Sequence, residues 1–272
     1  MSIPPRGHGI YGRGQSPEYL RGFTFVVQMS MASGAVGQLR SDLPRRVAVL
    51  KAAGRGVYLS GGPAHWTPDT YLITAPVLER AARDLGADGI VADPEAGWAS
   101  ASPAHVTGLA RVLQHVRRAG LSVGVTSIPL WPRRALLAHQ LEGAAWGSPQ
   151  VYLSDAAAHR PPAREVLAQW RELFGAAVPS VALWAGPGDE LTSPELYAAY
   201  LRQLPQTSAG AIGWPLVSEP EPWRTAAYRA WGPGMPLLHA LRDIASSRAV
   251  MIGAAVLVVA VLVGLAYAGG RS

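Results

Sequence analysis

The amino-acid sequence predicts an α/β protein, a (β/α)8-like TIM barrel with one unit short or degenerate, followed by a C-terminal transmembrane helix. Three observations carry this. Between residues 22 and 216 short apolar runs alternate with longer amphipathic stretches. About seven such units fit into roughly 200 residues, the repeat length of a parallel barrel with right-handed crossovers. And the run AVMIGAAVLVVAVLVGLAYA at 249–268 contains no charged residue.

Taken in order, residues 1–21 form an irregular N-terminal segment, with prolines, glycines and charges where a secretory signal would have an apolar core. The barrel occupies 22–216. Its strands are expected at 23–29, 56–60, 89–93, 122–127, 150–154, 180–185 and 209–214. The helices between them are expected at 71–85, 103–119, 133–141, 162–174 and 194–204, with a weaker one at 39–53. Ser102-Pro103 and Ser193-Pro194 read as helix starts, and Gly54, Gly86, Gly120 and Gly175 as helix ends. Residues 217–248 are a connector rich in proline and tryptophan that runs into a short helix. An open doubly wound sheet is the alternative, but no GxGxxG or Walker loop follows any strand, which argues against nucleotide binding.

Residues 249–268 match the roughly 20 apolar residues that a helix needs to cross a bilayer. Only Gly269, Gly270, Arg271 and Ser272 follow, so the sequence reads as a single-pass, tail-anchored protein in contact with lipid through that run. Ala260 and Gly264 form a small-xxx-small pair, which admits a homo-oligomer through the span. Arg242 and Arg248 precede the span and Arg271 follows it, a bias that leans toward a cytoplasmic main domain; a virion membrane is the alternative.

Composition removes several functions. There is no cysteine among the 272 residues, so disulfides, thiolate metal sites and cysteine nucleophiles are excluded. The net charge of +6 is spread along the chain as single arginines and pairs, with Lys51 the sole lysine; this reads as solvated helix faces, and no nucleic-acid partner is expected. The seven histidines show no HxH or HExxH spacing, and no GxSxG elbow presents a serine. Neither a metal nor another cofactor is expected.

A barrel holds its chemistry at the C-terminal ends of its strands. There the third predicted strand ends in Asp93-Pro94-Glu95. Alternation points both carboxylates to one side, roughly 6–7 Å apart along the backbone. Two carboxylates that close can hold different proton affinities, one as acid and the other as base or stabiliser, as glycosidic cleavage requires. The competing reading is a turn in which Asp93 caps a helix and Glu95 is solvated. Gln28, Tyr58, Trp98, Gln150, Tyr152, Trp184 and Trp214 lie in or near the other strand ends. Flat rings that stack on sugars, with amides and phenols that bond hydroxyls, suit a sugar cleft.

The stretches GADGIVADPEAGW, GVTSIPLWP and WGSPQVYLSD resemble the glycoside-hydrolase-type TIM barrels of phage and bacterial cell-wall proteins, distantly similar to the GH25 lysozyme family. That resemblance implies Glu95 as general acid and Asp93 as its supporting carboxylate. It also implies an aspartate at the end of the first strand, where the predicted strand carries Gln28 instead. The expected function is a membrane-anchored glycosidase acting on peptidoglycan or a related polysaccharide. The alternatives are an inactive barrel that binds a glycan or a protein in a phage particle or secretion device, and an unrelated enzyme with a small-molecule substrate.

Overall fold

The computed structural model describes residues 5, 7–12, 15–95, 98, 101–127, 143–150, 163–174, 180–182 and 211–214. All lie in the first of the chain's two units, Met1–Trp231; the second, Gly232–Ser272, falls outside the described residues. So do the expected helices at 133–141 and 194–204 and the expected span at 249–268. No helix among the described residues is long and apolar enough to cross a membrane.

Eight strands form one parallel sheet: β1 (His8–Gly12), β2 (Phe25–Met29), β3 (Gly56–Ser60), β4 (Gly89–Ala92), β5 (Ser122–Ser127), β6 (Trp146–Pro149), β7 (Ser180–Ala182) and β8 (Ala211–Trp214). Their order, β6-β5-β4-β3-β2-β1-β8-β7, is the cyclic order of a TIM barrel. Every described pairing is parallel, β1 lying between β2 and β8. Helices α1 (Pro17–Leu20), α2 (Leu43–Ala52), α3 (Tyr71–Leu85), α4 (Pro103–Arg118) and α5 (Ala163–Phe174) occur between them.

The unit expected to be degenerate is β1. It falls in the segment expected to be irregular, and the barrel begins at His8 rather than at residue 22. A second correction concerns β6, expected at 150–154 and found at Trp146–Pro149. The apolar VYL that suggested a strand there follows the real one, which carries glycine, serine and proline.

The expected helix signals operate as physics requires. The Ser102 hydroxyl accepts the His105 backbone N–H at 3.3 Å, capping α4. At the end of α3, Gly86 adopts φ +67°, a left-handed conformation in which its N–H reaches the Ala82 and Arg83 carbonyls.

Strand alternation sorts the buried residues into two layers. Ile10, Val26, Val57, Leu59, Ile90, Val123 and Val125 pack outward with Leu50, Leu78, Leu109 and Leu113 of the helices. Tyr11, Phe25, Val27, Tyr58, Val91, Trp146 and Ile212 face the barrel interior. At its floor Tyr58 stands edge-on between Phe25 and Trp146, with ring centroids 6.1 and 5.7 Å away. Gly124 is glycine for contact rather than conformation, because a Cβ there would lie 2.3 Å from the Trp146 ring. Lys51 of α2 meets Asp88 at 2.9 Å while Asp88 accepts the Val57 N–H at 2.7 Å, fixing the start of β4 against β3.

Candidate active site

Along β4 the inward positions run Val91, Asp93, Glu95, from the apolar interior to the strand's C-terminal end. The Ser127 hydroxyl donates to the Pro94 carbonyl between the two acids and holds the strand extension against β5. The Trp98 N–H donates to the Glu95 carbonyl at 2.9 Å, turning the chain away. The acids therefore stand on one face at successive depths, as alternation predicts.

Their environments differ. Asp93 is 2% exposed, and its Oδ1 has no hydrogen-bond partner among the described residues. Burial first, and the nearby Glu95 second, hold the Asp93 carboxyl well above the usual carboxylate range. Glu95 is half-buried, and its Oε1 accepts the Gln150 amide at 2.8 Å. Gln150 follows β6 and is held by its own N–H on the Ser127 carbonyl at 3.0 Å. A carboxyl raised by burial thus lies beneath a second, half-buried carboxyl, one oxygen of which is oriented by an amide.

Of the residues read from the sequence, the structure brings Asp93, Glu95 and Gln150 together. Gln28 goes elsewhere. It lies on the second strand and points to the helix layer, since Val27 and Phe25 beside it face inward. Its amide donates to the Gly12 and Met29 carbonyls, each at 2.9 Å, and its Oε1 accepts from the buried Arg46 at 3.0 Å. The missing first-strand aspartate was sought on the wrong strand.

Tyr58 points inward but sits in the floor, where burial, with Asp88 nearby, raises its phenol. Trp98 is 2% exposed, donates its indole N–H to the Trp66 carbonyl and packs edge-on against Tyr71 at 5.4 Å. It braces the β4 loop against α3 and offers no open face. Tyr152 and Trp184 lie outside the described residues. Trp214 ends β8, its backbone paired with Ala182. Thr126 and Ser148, both buried, were not anticipated; once β5 and β6 are placed, alternation puts them on the inner face beside Asp93.

The fold is a TIM-like barrel that carries two acids of unequal depth at the end of β4. Solved structures with this fold include a GH18 chitinase from Pseudoalteromonas aurantia, with TM-score 0.59, 14% identity and coverage of 83% of this chain and 99% of that one. The spore cortex-lytic enzyme of Bacillus cereus matches with TM-score 0.54 and 12% identity, over 84% of this chain and 75% of that one. A chitinase-like agglutinin from Robinia pseudoacacia matches with TM-score 0.55 and 14% identity, over 83% and 99%. These likenesses show the fold, which is that of these GH18 chitinase structures; similarity to GH25 lysozymes is not shown. No protein-family model matches the chain, and no curated protein matches it.

Proposed function

We propose that the barrel is a glycosidase for polymers of 2-acetamido sugars, chitin-like or peptidoglycan-like, with Glu95 as general acid. The observation that carries this reading is the depth difference between the acids. Asp93 is too buried to attack an anomeric carbon. Glu95, reachable and oriented by Gln150, is suited to protonate a leaving oxygen. With no second reachable carboxylate beside Glu95 among the described residues, the nucleophile is best supplied by the substrate, as in substrate-assisted glycoside hydrolysis. The Glu95 carboxyl gives its proton to the glycosidic oxygen, the C1–O bond breaks, and the acetamido oxygen closes onto C1. Water, deprotonated by the Glu95 carboxylate, then opens that ring and restores the acid.

The named neighbours support this choice of sugar: chitinases, one of them from Cycas revoluta in complex with (GlcNAc)3, and cortex-lytic enzymes. The apolar run at 249–268 supports attachment of the barrel to a membrane. The agglutinin supports a second reading, a barrel that binds such glycans without cutting them.

The test is release of reducing ends from chitin oligosaccharides and from purified peptidoglycan by the full chain and by Glu95→Gln. The expected loss is about 10²–10⁴-fold with binding retained. Equal release by both proteins would refute the assignment of the acid, and binding without release by either would favour the lectin-like reading.

A further inference from the structure

Three buried oxygens occupy one rung of the inner wall. Thr126 pairs in register with Ser148, and Ala92 with Val125, so Asp93, Thr126 and Ser148 stand side by side on β4, β5 and β6. All three face inward, in phase with Val91 and Trp146. Asp93 is 2%, Thr126 1% and Ser148 0% exposed. Asp93 Oδ1, Thr126 Oγ1 and Ser148 Oγ have no hydrogen-bond partner among the described residues. Three such atoms in one row need a common explanation, because each orphaned buried polar group is costly.

Strand spacing supplies it. Side chains on neighbouring strands stand about 4.8 Å apart, too far for a direct hydrogen bond of about 2.8 Å. One water between two such oxygens satisfies both at near-tetrahedral geometry, so the row takes one water between Asp93 and Thr126 and a second between Thr126 and Ser148, two strands from Asp93. Below the row Val91, Gly124 and Trp146 are apolar, so its polar opening is toward Glu95 and Gln150.

We infer that Thr126 and Ser148 are positioning residues that hold a short row of internal water, running from Ser148 past Thr126 to the Asp93 carboxyl and fixing its orientation beneath Glu95. Neither hydroxyl reaches a substrate; both act through Asp93. Glu95 on the same strand is the charged group acting on Asp93. β5 beside it and β6 beyond contribute the hydroxyls, and β3 contributes Ser60, level with Val91, and Tyr58 at the floor. The effect on rate rests on the proposed role of Glu95, whereas the water site does not.

The test is infrared spectroscopy of the full chain about one pH unit above the ordinary carboxyl value of 3.8, where the raised Asp93 group holds its proton. The C=O stretch of protonated Asp93 is assigned by its loss in Asp93→Asn. It is expected to move to higher frequency in Thr126→Val and in Ser148→Ala, as a hydrogen bond to the carboxyl is lost, and to return in Thr126→Ser. With a chitin oligosaccharide, both removals are expected to lower kcat on the order of tenfold with KM within about twofold. A band unmoved by either removal overturns the inference, even if hydrolysis depends on Glu95. A band that moves in a protein that hydrolyses nothing upholds the water site and removes the glycosidase reading. Should Thr126→Val not fold, Ser148→Ala against Thr126→Ser makes the same comparison.

Discussion

Asp93→Asn separates the stability of the barrel from the proton it buries. Because burial and Glu95 raise the Asp93 carboxyl above its ordinary 3.8, the folded protein keeps a proton that the unfolded chain releases. Between 3.8 and the raised folded value, unfolding therefore sheds a proton, and stability falls as pH rises. One proton sets a slope approaching about 1.4 kcal/mol per pH unit. For a domain the size of Met1–Trp231, about 1 kcal/mol moves Tm by roughly 2–4 °C, so the wild type loses roughly 3–6 °C per unit from this carboxyl. Asparagine has almost the same shape and does not titrate. The measurement is Tm of the full chain and of Asp93→Asn from pH 4 to pH 8, by near-ultraviolet circular dichroism. The two should agree near pH 4, and the variant should melt progressively higher as pH rises. Other titrating groups cancel in the difference, so parallel curves would show that Asp93 ionises as freely in the fold as out of it, and the buried-proton account would fail.

Two further predictions concern the scaffold. Arg46→Met removes the donors to Gln28 Oε1 at 3.0 Å and the Gln15 carbonyl at 2.6 Å, leaving two acceptors worth about 1–3 kcal/mol each. Urea unfolding should show that loss while glycan binding by the folded protein stays within about twofold; a selective loss of binding would return Gln28 to the substrate. Gly124→Ala places a methyl 2.3 Å from a Trp146 ring that Tyr58 confines from the other side, and overpacking of this kind costs about 1–3 kcal/mol or more. A Tm equal to wild type would mean that the floor yields more readily than its packing implies.

The alternation of strands and helices was legible because parallel strands covered on both faces read as apolar runs between amphipathic helices. The intervals 56–60, 122–127 and 71–85 match β3, β5 and α3 residue for residue. What escaped was set by distant partners. HGIYG carries little strand signal of its own; it is a strand because β2 and β8 flank it, and Gly9 is small because the Phe25 ring lies over it. Gln28 was assigned by its place at a strand end, yet alternation from Phe25 and Val27 already sends it to the outside. Trp98 is near the acids in sequence, but its ring is buried against Tyr71 of α3. Asp93 and Glu95 were legible because a spacing of two on one strand is local information that no distant contact can reassign.

The inner face of β4 changes character within three positions, and that gradient links stability to chemistry. Val91 closes the interior from below with Tyr58 and Trp146, so Asp93 has no route to solvent downward. A charge there would be poorly hydrated and would lie next to Glu95, and two neighbouring carboxylates do not ionise together without penalty. Above it, the Gln150 amide donates to one Glu95 oxygen and fixes its direction. A well-packed apolar residue at position 93 would give a more stable barrel, and the orphaned oxygens of the Asp93 rung would be unnecessary if packing were their purpose. Three of them in this one rung, directly below Glu95, are what the proposed row of internal water accounts for.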